Sequence, residues 1–258
     1  MKVVILAGGY GTRLSEETHL RPKPMVEIGG KPILWHIMKI FSTHGFNDFI
    51  ICCGYKGYVI KEYFANYLLH NSDVTIDLST RSLDLHSHKA EPWKVTLIDT
   101  GESTLTGERL KRVHPYLEDQ EDFFFTYGDG LSDVNLTKLA KFHKGHGKKA
   151  SVTVVKPPGR YGAVSMQTCG KVNSFEEKPP GDGGYVNGGF FVLSKDIFDF
   201  LPNEDSPWES TPMINLVEKD ELMAFRHDGF WSAMDTLRDK NLLDGLWNSN
   251  RAPWKKWS

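Results

Sequence analysis

The residues best suited to chemistry form a glycine-rich loop near the start of the chain. The segment L-A-G-G-Y-G-T-R-L, residues 6–14, begins at the end of a short apolar run. Glycines in such a loop let backbone N–H groups turn inward and approach an anion closely. The guanidinium of Arg13 would add donors for phosphate oxygens. The segment therefore predicts a phosphate-binding site.

Two well-known phosphate-binding loops do not fit this segment. A Walker A loop ends in Lys-Ser or Lys-Thr, and no such pair follows the glycines here. The dinucleotide pattern G-x-G-x-x-G fails because Leu14 stands where its third glycine belongs. A plain strand-to-helix turn is the alternative, but glycines followed by Thr12 and Arg13 favour phosphate binding.

A second basic segment, R-P-K-P-M-V-E-I-G-G-K-P-I-L, covers residues 21–34. Pro22 and Pro24 stiffen the backbone on both sides of Lys23, which would keep its ammonium in a defined place. By itself this segment is better explained as a solvated basic turn. Its position shortly after the glycine-rich loop favours a role for Lys23 at the same phosphates.

These segments and three later ones resemble, in order, the signature of the sugar-1-phosphate nucleotidylyltransferase family. The later ones are Y-G-D-G at 127–130, F-E-E-K-P at 175–179 and N-G-G-F-F at 187–191, so the resemblance covers nearly the whole chain. Segments 99–112 and 230–236 resemble the branch that transfers a cytidylyl group from CTP to glucose 1-phosphate.

The resemblance implies a reaction in which a sugar phosphate oxygen attacks the α-phosphorus of CTP and pyrophosphate leaves. The product would be CDP-glucose, for deoxysugar and O-antigen biosynthesis. No covalent enzyme intermediate is needed, so catalysis would rest on positioning and on neutralising charge. The family resemblance also implies Mg²⁺ as cofactor and assembly into a homo-oligomer.

The resemblance assigns two aspartates to the metal. Asp129 follows the apolar run F-F-F-T-Y, and ligands of open α/β sheets bind at the carboxyl ends of strands. A capping Asp in a tight turn is the alternative. Asp235 is the second predicted ligand, but it lies two places later than the aspartate of the common family pattern W-x-D-x-G-T. The predicted catalytic residues are Arg13, Lys23 and Asp129.

The predicted substrate-binding residues come from several segments. The resemblance implies that Lys178 holds the sugar phosphate and that Glu177 and Asn187 accept hydrogen bonds from sugar hydroxyls. The full predicted set is Leu6, Ala7, Gly8, Gly9, Tyr10, Gly11, Thr12, Arg13, Lys23, Thr104, Arg109, Gly128, Gly162, Glu177, Lys178 and Asn187.

Thr104 and Arg109 are predicted to face the cytosine end of the nucleotide. Cytosine presents two adjacent acceptors, a ring nitrogen and a carbonyl oxygen, whereas uracil carries an N–H at that ring position. An arginine is a donor only, so it would pair with cytosine and oppose uracil. The alternatives are that Arg109 contacts a phosphate or caps the helix near it.

The order of elements predicts how these residues are brought together. Short apolar runs at Val3–Ala7, Asp48–Cys53, 95–99 and Asp122–Tyr127 read as buried strands, separated by predicted helices at 32–44 and 58–69. This alternation predicts a doubly wound, mostly parallel α/β sheet, and residues 73–88 read as a β-hairpin insertion. We expect one domain over 1–258, binding nucleotide through about 1–130 and sugar phosphate through about 131–258.

Composition agrees with an ordinary α/β protein. Hydrophobic residues make up 40% of the chain and the net charge is −2, so nothing predicts nucleic-acid or membrane partners. Cys52, Cys53 and Cys169 read as buried free thiols in a reducing cytoplasm. The pairs His86/His88 and His143/His146 lack a third metal ligand and are expected at the surface.

Two alternatives to the cytidylyl reaction stay open. One is the same reaction with UTP or dTTP, or with another sugar 1-phosphate. The other is a regulatory subunit that binds sugar nucleotides without turnover. The set Arg13, Lys23, Asp129 and Lys178 argues against the latter, because binding alone would not require every charged member.

Overall fold

The computed structural model describes residues 1–88, 90–157, 163–168, 171–176 and 184–257. Within these ranges, only the backbone is described at positions 13, 15, 16, 88, 163–166 and 175–176. The strands, in chain order, are β1 (Val3–Ala7), β2 (Glu27–Ile28), β3 (Lys31–Pro32), β4 (Asp48–Cys53), β5 (Ser72–Asp77), β6 (Ser82–His88), β7 (Lys94–Asp99), β8 (Asp122–Tyr127), β9 (Gly130–Ser132), β10 (Ala150–Val155), β11 (Ala163–Met166), β12 (Val172–Glu176), β13 (Val186–Ser194), β14 (Leu222–His227) and β15 (Trp231–Ala233).

The helices lie between these strands. The α-helices are α1 (Ser15–Thr18), α2 (Ile33–Ser42), α3 (Gly57–Ala65), α4 (Tyr67–His70), α5 (Thr106–Arg112), α6 (Leu136–His146), α7 (Thr211–Glu218) and α8 (Leu237–Asn248). Short 3₁₀ helices lie at Thr12–Leu14, Lys23–Met25, His114–Tyr116 and Lys195–Phe200.

Seven strands form the central sheet, in the order β14-β10-β13-β8-β1-β4-β7. Strands β8, β1, β4 and β7 run parallel, as do β10 and β14. Only β13, within this sheet, is antiparallel to its two neighbours. The predicted doubly wound, mostly parallel α/β architecture is therefore confirmed.

Alternate residues of the central strands enter two cores on opposite faces of the sheet. Val3 and Ile5 of β1 pack in the core that contains α2, whereas Val4 and Leu6 pack in the core that contains Leu110 of α5. Because successive side chains of a strand point to opposite faces, helices on both faces bury the whole strand.

Several sequence predictions are confirmed and two elements differ. Strands β1, β4 and β8 have the predicted bounds, and β5 and β6 form the predicted hairpin. The single helix predicted at 58–69 is wrong, because Asn66 separates α3 from α4. The segment Lys195–Phe200, where a helix is also predicted from the sequence, is a 3₁₀ helix.

The C-terminal tail folds back onto the domain that carries it. Trp254 is only 1% exposed, and its indole lies beside His36 and stacks on Phe230 and Trp247. No helix in the described part of the chain is both long and apolar enough to cross a membrane. Cys52 and Cys53 are buried free thiols, whereas Cys169 lies outside the described residues.

Candidate active site

The topology predicts where a ligand binds. Strand β1 lies between β4 and β8, and the chain runs from β1 through β4 and β7 before it returns to β8 on the other side. Open α/β sheets bind ligands at such a switch point, beyond the carboxyl ends of the strands. A cavity of about 420 Å³ opens there, between the loops that follow β1, β7 and β8.

Most of the predicted binding residues line this cavity. They are Leu6, Ala7, Gly8, Gly9, Tyr10, Gly11, Thr12, Lys23, Thr104, Arg109, Gly128 and Asp129. The backbone of Arg13 continues the same loop, but its side chain lies outside the description. Gly162, Glu177 and Lys178 also lie outside the described residues.

The glycine-rich loop is held in a compact turn. Gly11 has a φ of +62°, a conformation that favours glycine, and its carbonyl accepts hydrogen bonds from Leu14 N (3.0 Å) and Thr18 Oγ1 (3.1 Å). A Cβ atom on Gly11 would lie 2.8 Å from Thr18 Cγ2 and 3.1 Å from Lys23 Cβ. Glycine at this position therefore allows the Lys23 segment to pack against the loop.

Arg109 joins two loops and the end of β4 beneath the cavity. It is 3% exposed, and its terminal nitrogens donate to Thr100 Oγ1 (2.8 Å) and to the carbonyls of Gly101 (2.7 Å), Glu102 (3.0 Å), Gly8 (3.1 Å) and Cys53 (3.3 Å). Burial lowers the pKa of this guanidinium, which nevertheless stays charged. Both terminal nitrogens therefore donate to protein acceptors. The predicted contact between Arg109 and the cytosine base stays a prediction.

Gly8 is expected to be essential to this packing. A Cβ atom on Gly8 would lie 2.1 Å from Arg109 Nη1, whereas one on Gly9 meets nothing within 4 Å. We expect Gly8→Ala to lower the free energy of unfolding by about 1–3 kcal/mol. Gly9→Ala is the matched control and should change it by less than about 0.5 kcal/mol. Urea unfolding measures both, and equal effects of the two substitutions would contradict the packing argument.

Lys23 lies between the two predicted metal ligands. Its Nζ is 2.6 Å from Asp129 Oδ2 and 2.8 Å from Asp235 Oδ1. Burial alone would lower the pKa of Lys23, but the two carboxylates outweigh it and raise that pKa above its ordinary value. The structure thus brings together one ammonium and two carboxylates that are distant in sequence.

Asp235 reaches Asp129 through a short strand pair. Strand β15 runs antiparallel to β9, and Met234 N donates to Asp129 O at 2.9 Å. Thr236, which follows Asp235, is the N-cap of α8 and forms a capping box with Asp239. The unusual position of Asp235 in the sequence therefore still places its carboxylate beside that of Asp129.

Asn187 lies beside the cavity rather than in its wall. Its Nδ2 donates to Tyr127 Oη at 3.1 Å, and its Oδ1 accepts from Gly189 N at 2.9 Å. Tyr127 lines the cavity, and burial, followed by the nearby carboxylate of Glu209, raises its pKa. The amide oxygen of Asn187, which is predicted to accept hydrogen bonds from sugar hydroxyls, already accepts one from Gly189 N. One N–H of the amide takes no part in these two bonds.

Sequence reasoning missed one wall of the cavity. Pro207 and Glu209 line it, and Glu209 Oε2 accepts a hydrogen bond from Thr106 Oγ1 at 2.7 Å. Trp208 N also donates to Thr106 Oγ1, at 2.8 Å. No local pattern marks this segment, because it reaches the site only by packing against the start of α5.

The environment of the His143/His146 pair differs from the prediction. No group of three or more His, Cys, Asp or Glu side chains suited to a metal ion occurs among the residues the structure describes. The surface position expected for His143 is wrong, because it is 3% exposed and its Nδ1 lies 2.9 Å from Ser151 Oγ. Its environment is a buried polar network rather than a ligand set.

Comparisons with known proteins identify the family of the chain. Residues 2–236 match the family model described as Nucleotidyl transferase. The chain is 61% identical over 257 residues to glucose-1-phosphate cytidylyltransferase of Salmonella typhi, and 60% identical to that of Salmonella typhimurium; both matches cover 100% of each chain. The crystal structure of HddC from Yersinia pseudotuberculosis superposes with a TM-score of 0.68 at 25% identity, covering 95% of this chain and 99% of that one. The chain has the glycine-rich loop, the cavity and the ion pairs of Lys23 with Asp129 and Asp235. The matches show that it belongs to the nucleotidyl transferase family.

Proposed function

We propose that this protein transfers a cytidylyl group from CTP to α-D-glucose 1-phosphate, forming CDP-glucose and pyrophosphate. The observation that carries the proposal is the 61% identity, over the full length of both chains, to a protein of that name. The cavity at the switch point of the sheet supports it, because its wall contains the glycine-rich loop, Lys23 and Asp129.

The glycine-rich loop and the cations near it would hold the triphosphate of CTP. Backbone N–H groups of residues 8–12, with Arg13 and Lys23, would orient the α-phosphate for in-line attack. Lys178 would hold the phosphate of the sugar. Glu177, Asn187 and Gly162 would contact the hydroxyl groups of the sugar. The chain forms no covalent intermediate in this scheme, so its task is to align two anions and offset their charge.

The carboxylates of Asp129 and Asp235 fit a magnesium ion. Their oxygens lie 2.6 Å and 2.8 Å from one ammonium, so both face one point at the cavity. Mg²⁺ in phosphate-transferring sites is commonly bound by one or two carboxylates, phosphate oxygens and water. A bound Mg²⁺ would supply positive charge to the phosphate oxygens as pyrophosphate leaves.

Selection of cytosine is proposed to involve Thr104 and Arg109. Both line the cavity next to the glycine-rich loop. Arg109 could act directly, through its side chain, or by fixing the backbone of residues 100–102, whose N–H and C=O groups would then face the base. Residues 1–130 would bind the nucleotide and residues 131–258 the sugar phosphate.

The wider setting is also a proposal. A reducing cytoplasm suits the buried thiols of Cys52 and Cys53, and CDP-glucose would serve deoxysugar and O-antigen biosynthesis. Assembly into a homo-oligomer is supported by apolar side chains on the β5–β6 hairpin, where Ile76 is 54%, Leu78 85% and Leu83 50% exposed.

A matrix of four nucleoside triphosphates against several sugar 1-phosphates tests the proposed reaction. We expect pyrophosphate release with CTP and glucose 1-phosphate, and at least about tenfold lower kcat/KM with UTP. The physical reason is that uracil presents an N–H where cytosine presents an acceptor. Faster release with another nucleotide or sugar would replace the substrates proposed here, and no release with any pair would favour a regulatory subunit.

A further inference from the structure

The ammonium of Lys23 occupies a position between two acidic side chains. It lies within hydrogen-bond distance of Asp129 Oδ2 and Asp235 Oδ1, and the three side chains are only 11%, 29% and 17% exposed. One positive charge therefore faces two negative charges at the wall of the cavity. An ammonium has three N–H donors, and the carboxylates engage two of them.

The two carboxylates sit on shorter side chains than the ammonium of Lys23, and their backbones are held in place. The backbones of Asp129 and Met234 are hydrogen-bonded at 2.9 Å, and Asp235 N donates to Asp239 Oδ2 at 3.1 Å, at the start of α8. Lys23 has a fixed backbone, in a turn closed by Met25 N and Pro22 O at 2.8 Å, but a flexible four-carbon side chain. The acidic pair can therefore stay in place while the ammonium moves.

We propose that Lys23 acts as a substitute cation in the free enzyme, holding the position between Asp129 and Asp235 that a divalent ion takes during the reaction. This inference rests on the proposed function. A divalent ion bound by the same two carboxylates, at about 2.0–2.1 Å from their oxygens, would repel an ammonium at its present distance. Lys23 must then turn towards the phosphates that enter the cavity.

The exchange would change the charge that the site presents to substrate. With Lys23 as counterion, the three side chains carry one net negative charge. This charge opposes the entry of phosphates without a divalent ion. With the ion bound, the same site carries one net positive charge, and the ammonium is released to donate to a phosphate oxygen. Lys23 would thus weaken metal binding in the absence of nucleotide and link the two binding events.

Binding of Mn²⁺ to the free enzyme, measured by electron paramagnetic resonance, tests this role without turnover. We expect Lys23→Met to bind Mn²⁺ at least about tenfold more tightly than the wild-type protein, because the competing cation is gone. Lys39→Met is the matched control. Lys39 also forms a half-buried ion pair, with 2.9 Å between its Nζ and Glu91 Oε2, but this pair does not line the cavity. Its Mn²⁺ affinity should equal that of the wild type.

A second variant shows where the ion binds. Adding Asp129→Asn to Lys23→Met should abolish the gain in affinity, and Mn²⁺ should raise the melting temperature of Lys23→Met more than that of the wild type. If Lys23→Met fails to fold, Lys23→Gln replaces it. Unchanged affinity in the lysine variant, or a gain that survives Asp129→Asn, overturns the exchange. The proposed reaction is judged separately, by pyrophosphate release from the wild-type enzyme.

Discussion

Asp129→Ala is expected to lower kcat for CDP-glucose formation by about 10³-fold while the protein stays folded. The carboxylate of Asp129 lies at the carboxyl end of β8, 2.6 Å from Lys23 Nζ and in the wall of the cavity. Its removal would leave Asp235 alone to hold the divalent ion, and the phosphates would lose a fixed positive charge during pyrophosphate release.

Steady-state kinetics at saturating CTP and glucose 1-phosphate, over a range of Mg²⁺ concentrations, measure this effect. Asp119→Ala is the matched control: Asp119 pairs with Lys2 at 2.6 Å, but its side chain is 65% exposed, so its removal should leave kcat unchanged. Circular dichroism establishes folding of both variants. Turnover of a folded Asp129→Ala within a few-fold of wild type would show that Asp129 does not hold the ion.

Arg109→Ala is expected to lower the free energy of unfolding by about 3 kcal/mol. The guanidinium donates to acceptors after β1 and β7 and at the end of β4, including the buried carbonyls of Gly8 and Cys53. Alanine would leave these carbonyls without this partner and open a cavity beneath the glycine-rich loop. Activity with CTP should fall as well, because the same loop carries the N–H groups proposed to bind the phosphates.

Urea unfolding measures the loss of stability, with Arg112→Ala as the matched control on the same helix. Arg112 donates to Thr100 O at 2.9 Å, but its side chain is 46% exposed, so we expect a loss below about 1 kcal/mol. Equal losses in the two variants would contradict the clamping role of Arg109. The ratio of kcat/KM for CTP and UTP distinguishes base selection by Arg109 from its role in holding the loops. A narrowed ratio means that Arg109 contributes to base selection, directly or through the backbone of residues 100–102, and an unchanged ratio means that it only holds the loops.

Local patterns in the sequence were sufficient to predict the elements that carry the nucleotide loop. Strands β1, β4 and β8 are short apolar runs bounded by polar or turn residues, and their bounds agree with the prediction. The hairpin β5–β6 shows period-two alternation. Burial on both faces and alternation are properties of neighbouring residues, so they can be recognised without knowledge of distant contacts.

Weaker local signals led to errors or omissions. The pattern over 58–69 does not show the break at Asn66, where α3 ends and α4 begins. Strands β9 and β15 have three residues each, too few to display a period, yet their pairing brings Asp235 beside Asp129. Glu209 belongs to no motif and reaches the cavity because its segment packs against Thr106.

The sequence alone thus determined the class of fold, the glycine-rich loop after β1 and the types of charged residue that the proposed chemistry needs. Only the tertiary structure decided that Lys23 bridges Asp129 and Asp235, 106 and 212 residues away. The same holds for Arg109, which donates to two backbone loops and to the end of β4. The physical reason is that a motif specifies backbone shape over a few residues, whereas the partner of a long charged side chain depends on which strand ends the sheet brings together.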